Sequence, residues 1–250
     1  MGFAHWLRDL ARYALLRRHL RRFGAILCCS DWVTATLLEH GLAARTLYWP
    51  SIPPTPRFRR EAAPTARLLF MGRLDREKGV ELLLRSFAAL PDRARGVELR
   101  IGGQGPLRPA LEALARSLGI ADRVAFLGWL DAGSVEAELA RAWALVVPSL
   151  WAEPLGLVAV EAVSRGVPVV VSANGGLAEI VEPGVTGLLF PNGDAGALVD
   201  CLGRIITGAA FPSRSLPEAA VERARWRFNR ATHVRELRRT LLEVASRRAG

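Results

Sequence analysis

The stretch Glu153-Pro154-Leu155-Gly156-Leu157-Val158-Ala159-Val160-Glu161 decides how this chain is read. Pro154 and Gly156 suit a turn, and Leu157, Val158, Val160 and Ala162 then follow the spacing of an apolar helical face. A helix starting near Gly156 puts Glu161 one turn beyond Leu157 on the same face, at i,i+4. Free N–H groups at a helix start hold phosphate. A carboxylate one turn on, roughly 5 Å along the axis, accepts hydrogen bonds from a neighbouring ribose. Glu153, ahead of the helix, reaches whatever is attached on the far side of the phosphate. The pattern describes a site for a nucleotide that carries something on its diphosphate.

A second segment agrees. Of 34 Lys plus Arg, only Lys78 is lysine, and it stands in Gly72-Arg73-Leu74-Asp75-Arg76-Glu77-Lys78-Gly79. This turn follows the apolar run Leu68–Met71 and precedes the helical pattern Val80-Glu81-Leu82-Leu83-Leu84. A lysine is a compact point charge and an arginine a rigid fork, so the two meet phosphate differently. Alone, Lys78 reads as an ordinary exposed lysine; beside the two-glutamate motif it reads as a phosphate ligand.

Together these residues resemble the family 4 glycosyltransferases, retaining enzymes of the GT-B fold. The resemblance runs in order from about Leu68 to about Leu198. It includes the turn at 72–79, the loop Ile101-Gly102-Gly103-Gln104-Gly105-Pro106-Leu107, and Val124-Ala125-Phe126-Leu127-Gly128. It continues through Pro148-Ser149, the two-glutamate motif, Gly166–Val170, Gly175–Val181 and Gly184–Phe190. A G-x-G loop alone is weak evidence; the joint order is specific.

The rest of the chain sets the frame. At 250 residues, half of them hydrophobic, a packed core is expected. The formal charge of +10 invites a nucleic-acid partner. The arginines are spread along the chain without interleaved aromatics or a reading motif, so nucleic acid is not expected as a partner. Cys28, Cys29 and Cys201 form no disulfide or metal pattern, and His5, His19, His40 and His233 show no ligand spacing. A reducing cytoplasm fits. No apolar run approaches the ~18 residues that span a bilayer.

After residue 65, short β-branched or apolar runs alternate with helical segments, the mark of an α/β fold with a parallel sheet. Strands are expected at Arg67–Met71, Val97–Ile101, Arg123–Phe126, Ala144–Val147, Val167–Val171 and Leu188–Phe190. Helices are expected over 79–90, 107–118, 133–142, 156–165 and 194–207. The domain reading is a Rossmann-like nucleotide-sugar-binding domain at 61–211 and C-terminal helices at 212–250. Residues 1–60 form a partial N-terminal, acceptor-side α/β segment with a linker marked by Pro50, Pro53, Pro54 and Pro56. Within it a basic amphipathic helix is expected over 3–23, then a strand (25–29), a helix (31–40) and a strand (45–49). The 3–23 pattern, arginines among Trp6, Leu7, Leu10, Leu15, Leu16 and Leu20, also suits an anionic membrane surface. Trp226 and Phe228 are expected as core anchors, with Val234, Leu237, Leu241, Leu242 and Val244 as a buried stripe, part of it exposed because the N-terminal domain is short.

The resemblance then assigns roles. Arg73 and Lys78, in the turn opened by Gly72, hold the donor diphosphate and neutralise charge on the leaving group. No metal or cofactor is expected. Gly103 and Gly105 let the nucleotide approach, with Pro106 suited to the first helical position. Gly128, with Trp129 and Leu130, contacts the base through the main chain, Gly156 and Leu157 cradle the distal phosphate or sugar, and Glu161 binds ribose. Glu153 lies near the sugar hydroxyls. Retention by double displacement needs a carboxylate beneath the anomeric carbon. Front-face attack, with the leaving phosphate accepting the proton, is preferred here, and Glu153 is then a positioner. Glu179 shapes the neighbouring loop. The implied partners are a nucleotide sugar, a sugar or lipid-linked acceptor, and a chain supplying the rest of the N-terminal half. The implied setting is cell-envelope or exopolysaccharide synthesis at the inner face of the membrane. Two rivals are a donor-binding fragment that needs a partner for catalysis, and a basic peripheral membrane module with a decayed pocket.

Overall fold

Leu68-Leu69-Phe70-Met71, Ala144-Leu145-Val146-Val147 and Val169-Val170-Val171 are apolar on both faces, so each strand is stable only between two covering layers. The computed structural model describes residues 15–50, 58–61, 65–91, 94 and 96–249. Its larger sheet is parallel and six-stranded, in the order β5-β4-β3-β6-β7-β8. The strands are β3 (Arg67–Met71), β4 (Glu98–Gly102), β5 (Val124–Gly128), β6 (Ala144–Val147), β7 (Val169–Ser172) and β8 (Gly187–Phe190). Every residue of β6 and β7, and Leu68–Met71 of β3, is buried. Of the flanking helices, α3 (Val80–Ala88) packs with α4 (Arg108–Ser117) and α7 (Ala195–Thr207), while α6 (Leu157–Ser164) packs with α8 (Glu218–Arg227).

Several element ends shift by one to three residues from their expected places, two of them for evident local reasons. The strand expected from Val167 begins at Val169, because Pro168 has no N–H for the ladder and contributes only its carbonyl, which accepts from Leu145. In α4 the proline of the first turn is Pro109 rather than Pro106.

By contacts the chain divides into two compact units. One joins the described residues up to Pro50 with those from Arg230; the other holds the described residues between. In the first, β1 (Ile26–Cys28) pairs in parallel with β2 (Ala44–Thr46). Helix α2 (Asp31–Glu39) is capped by buried Ser30, whose Oγ accepts from the Val33 amide at 3.2 Å. Helix α9 (Arg230–Ala249) joins this unit through Glu243, 2.5 Å from Arg45, and through a His233 ring nitrogen 3.0 Å from the Tyr48 carbonyl. Residues 15–20 are helical and 21–23 turn away, so the helix expected over 3–23 ends at Leu20; residues 3–14 of it, and Pro53, Pro54 and Pro56 of the linker, fall outside the described residues.

Two packing expectations are corrected. Phe228 is buried, but Trp226 is 67% exposed. Ala220, Ala224 and Phe228 repeat at i,i+4 on one face of α8, and Trp226 falls two residues off that register. In α9, Val234, Leu241 and Leu242 are exposed, while Leu237 and Val244 are half-buried. The apolar stripe is therefore covered only in part.

Glycine is obligatory where α3 begins. Gly79 has φ +69°, and a Cβ there would lie 1.9 Å from the Pro148 carbonyl oxygen. Gly203, inside α7, has nothing within 4 Å. Gly79→Ala is expected to cost about 2–4 kcal/mol, while Gly203→Ala is expected to stabilise by up to about 1 kcal/mol. Thermal unfolding of the two variants beside the parent checks both signs.

Candidate functional site

The sheet order reverses between β3 and β6, so the connections leaving these neighbouring strands diverge and leave a crevice at their carboxyl ends. Open α/β sheets bind ligands at this switch point, and the order here is the doubly wound one associated with nucleotide binding. The segment after β3 is the cationic turn, Gly72–Gly79, and the segment after β6 is Pro148–Gly156, which opens the two-glutamate motif.

The two segments touch. The Leu150 amide donates to the Glu77 carbonyl at 2.8 Å, and the Ser149 hydroxyl donates to the same oxygen at 3.2 Å. Lys78 Nζ lies 2.5 Å from Glu153 Oε1, which also accepts from Ser149 Oγ at 2.8 Å. Ser149 is fully buried, and its own carbonyl accepts from Ser172 Oγ of β7 at 2.7 Å. Glu153 is 8% exposed, with its backbone carbonyl accepting from the Gly176 amide at 2.7 Å. Glu179, expected to shape the loop, lies 3.8 Å from Arg227.

Within the cationic turn, Asp75 caps the short 3-10 segment Arg76–Lys78, its Oδ1 accepting from the Lys78 amide at 3.2 Å. Arg73 is exposed. Its Nη2 lies 3.0 Å from Asp75 Oδ2 and 3.8 Å from Glu77 Oε2.

Gly156 caps α6 with φ +89°, a left-handed conformation that favours glycine. The amides of Leu157 and Val158 make no hydrogen bond among the described residues. One turn further, the half-buried Glu161 carboxylate has no hydrogen-bond or ion-pair partner among the described residues. Burial raises its pKa, and the nearby Arg165 guanidinium opposes the rise.

A cavity of about 400 Å³ opens over the ends of β3, β4 and β5, lined by Met71, Gly72, Arg73, Gly102, Gly103, Gln104, Trp129, Leu130 and Val135. Gly103 donates to the Gly128 carbonyl at 2.7 Å. The loops after β3 and β4 pack backbone to backbone. A Cβ on Gly103 would lie 1.8 Å from the Gly72 carbonyl oxygen, and one on Gly105 2.4 Å from that of Leu74. Both glycines are therefore demanded by loop packing.

The expected residues thus fall into three adjoining groups. Gly72, Arg73, Gly103 and Leu130 line the cavity, with Gly105 and Gly128 supporting its wall. Lys78 and Glu153 form the ion pair at the switch point, and Gly156, Leu157 and Glu161 open the helix beyond it. Sequence reasoning gave no role to Ser149, which orients Glu153, although Pro148-Ser149 marks the end of a buried strand. It also passed over the Trp129 side chain, 76% exposed at the cavity.

Glu161 sets a pH signature. Its raised pKa means that, above the ordinary carboxylate range, the folded chain keeps a proton that the unfolded chain has lost. Stability therefore falls as pH rises through that window. Glu161→Gln should be more stable than the parent at neutral pH, and the difference should close as pH drops below about 4. Thermal unfolding from about pH 4 to about pH 8 reads it.

Comparison with known proteins agrees with this geometry. The profile of the family described as glycosyl transferases group 1 matches residues 55–226. The glycogen synthase of Mycobacterium tuberculosis is 38% identical over 203 residues, covering 79% of this chain and 44% of that protein. An uncharacterised glycosyltransferase of Methanocaldococcus jannaschii is 40% identical over 121 residues, or 48% of this chain and 30% of that protein. Sucrose-phosphate synthase from Thermosynechococcus elongatus superposes with a TM-score of 0.80 at 30% identity, over 94% of this chain and 62% of that one. The chain thus spans less than half the length of these two curated relatives.

Proposed function

The chain belongs to the group 1 glycosyl transferases, and from that premise we propose that it transfers a sugar from a nucleoside-diphosphate sugar to an acceptor with retention of configuration. The observation that carries the reading is the direct contact between the cationic turn and the two-glutamate segment at the switch point.

In this reading the base enters the cavity over β3–β5 and lies against Trp129 and Leu130, a largely apolar lining suited to a flat ring. The diphosphate lies between Arg73, Lys78 and the free amides of Leu157 and Val158, where cations and a helix N-terminus meet its charge without a metal. Glu161 accepts from the ribose hydroxyls. Glu153 accepts from the sugar. Its Oε1 already carries two donors, Lys78 and Ser149, which makes it a fixed acceptor and a weak nucleophile. That favours front-face attack, in which the leaving diphosphate takes the acceptor's proton and Lys78 and Arg73 stabilise the charge left on it.

The setting we propose is cell-envelope or exopolysaccharide assembly on the cytoplasmic face of a membrane, with a sugar or lipid-linked acceptor. It is supported by the basic amphipathic sequence of residues 3–23. One observation favours a second reading, a donor-binding chain that needs a partner for catalysis. The described part of the first unit carries only a two-stranded parallel sheet, with Leu27 of β1 exposed. Acceptor-side surface is then supplied by a partner chain.

Calorimetric titration with UDP, GDP and ADP tests the common core of both readings. At least one should bind, and Lys78→Ala and Glu161→Ala should each weaken it roughly 10- to 100-fold. No binding by any of the three overturns the assignment. Turnover of a sugar nucleotide by this chain alone, unaffected by a chelator, decides against the partner-dependent reading and against a metal requirement.

A further inference from the structure

The charge balance of the unliganded phosphate site is unexpected for an anion site. Two cations, Arg73 and Lys78, face three carboxylates: Asp75 and Glu77 beside Arg73, and Glu153 beside Lys78. With all five ionised the group carries one net negative charge. Lys78 is held at 2.5 Å by Glu153, while the exposed Arg73 meets its carboxylates through Nη2 alone, at 3.0 Å and 3.8 Å, so a ligand shares it with them.

The three carboxylates are not equivalent. Glu153 is buried and held by Ser149. Asp75 also caps the 3-10 segment through its other oxygen. Among the described residues, Glu77 hydrogen-bonds only through its backbone carbonyl, which joins Leu150 and Ser149, and its side chain, 56% exposed, meets Arg73 alone. Fold and switch-point contact need the Glu77 backbone, and nothing in them needs its charge.

We propose that Glu77 is an internal counter-ion of Arg73 that competes with an incoming phosphate, making it a specificity-determining residue of the phosphate site. Displacement is uphill for a ligand of low charge, because Arg73 only exchanges one carboxylate for one phosphate. A diphosphate also opens the Lys78–Glu153 pair, but it sets more charge against both cations at once and gains two charge-assisted contacts. Asp75 and Glu77 thus act as a charge threshold that admits nucleoside diphosphates and turns away monophosphates. An exposed carboxylate at this distance is a weak competitor, so its removal should be felt as a change of a few-fold.

This inference rests on the nucleotide reading above, and the test separates the two. Titrations of UDP, UMP and inorganic pyrophosphate into the parent, Glu77→Gln and Glu182→Gln compare removal of Glu77 with an equal charge change at an exposed carboxylate paired with Arg223. Glu77→Gln should tighten UMP binding about two- to five-fold, tighten UDP and pyrophosphate by less, and so narrow the diphosphate preference. Glu182→Gln should change none of the three. Unchanged or weakened UMP binding in Glu77→Gln, with the parent still binding UDP, overturns the counter-ion role and leaves the nucleotide reading standing. Equal tightening in both variants reduces the effect to net charge and also overturns it. A parent that binds none of the three ligands removes both.

Discussion

The pairing of β3 with β6 is the constraint on which the site depends. Both strands are buried on both faces, so neither can shift register without driving apolar side chains into the wrong layer. Because the order reverses there, the segments leaving the two strands face each other across the switch point. Gly79 has room for no side chain against the Pro148 carbonyl, and the Leu150 amide closes on the Glu77 carbonyl at 2.8 Å. Lys78 and Glu153, 75 residues apart in sequence, come into contact as a result. Their ion pair is an outcome of topology that neither segment encodes by itself.

What was legible in the sequence follows from that logic. The spans of β3 and β6 read off residue for residue, because long apolar runs between turn residues have few alternatives. Glu161 and Gly156 were legible because helical spacing fixes where a carboxylate lies relative to the first turn. Less legible was whatever depends on a neighbour distant in sequence. Ser149 gains its role only once Glu153 and Ser172 fold against it. The ring of Trp226 carries an apolar signal as strong as that of Phe228, and helix register alone separates the exposed one from the buried one. The α9 stripe has helical period, but periodicity does not say whether anything covers it. The pairing of Arg73 with its own turn was hidden as well, since arginine at a phosphate motif suggests a free cation.

The arginine-rich composition also takes on a different meaning in the fold. Arg60 donates to the carbonyls of Leu139, Ala140, Ala142 and Arg214, around the end of α5 (Ala132–Arg141), and burial lowers its pKa to about 10. Arg214 reaches the Ile205 and Ile206 carbonyls in the last turn of α7 and stacks 3.8 Å over Trp143. Arg225 donates to the Ser164 carbonyl at the end of α6. A planar fork with several donors can satisfy more than one orphan carbonyl at a helix C-terminus, where positive charge is also favoured. Part of the formal charge of +10 is thus spent inside the unit, which weakens it as a sign of nucleic-acid binding. Lys78 is the exception for the same geometric reason. Its compact ammonium meets a single carboxylate oxygen, Glu153 Oε1.

The two ends of the proposed donor site are prepared in opposite ways. At the ribose end, Glu161 is half-buried with no partner among the described residues, so its ionised form is held at a cost that a ligand hydroxyl would relieve. At the phosphate end both cations already have carboxylate partners, so a ligand must compete with them. Affinity gained at the first can offset displacement at the second only if one molecule spans both. A free ribose carries no charge to compete for Arg73 and Lys78, and free pyrophosphate has no hydroxyl for Glu161. In the proposed reading the arrangement would therefore select for the connection between sugar and diphosphate rather than for either part alone.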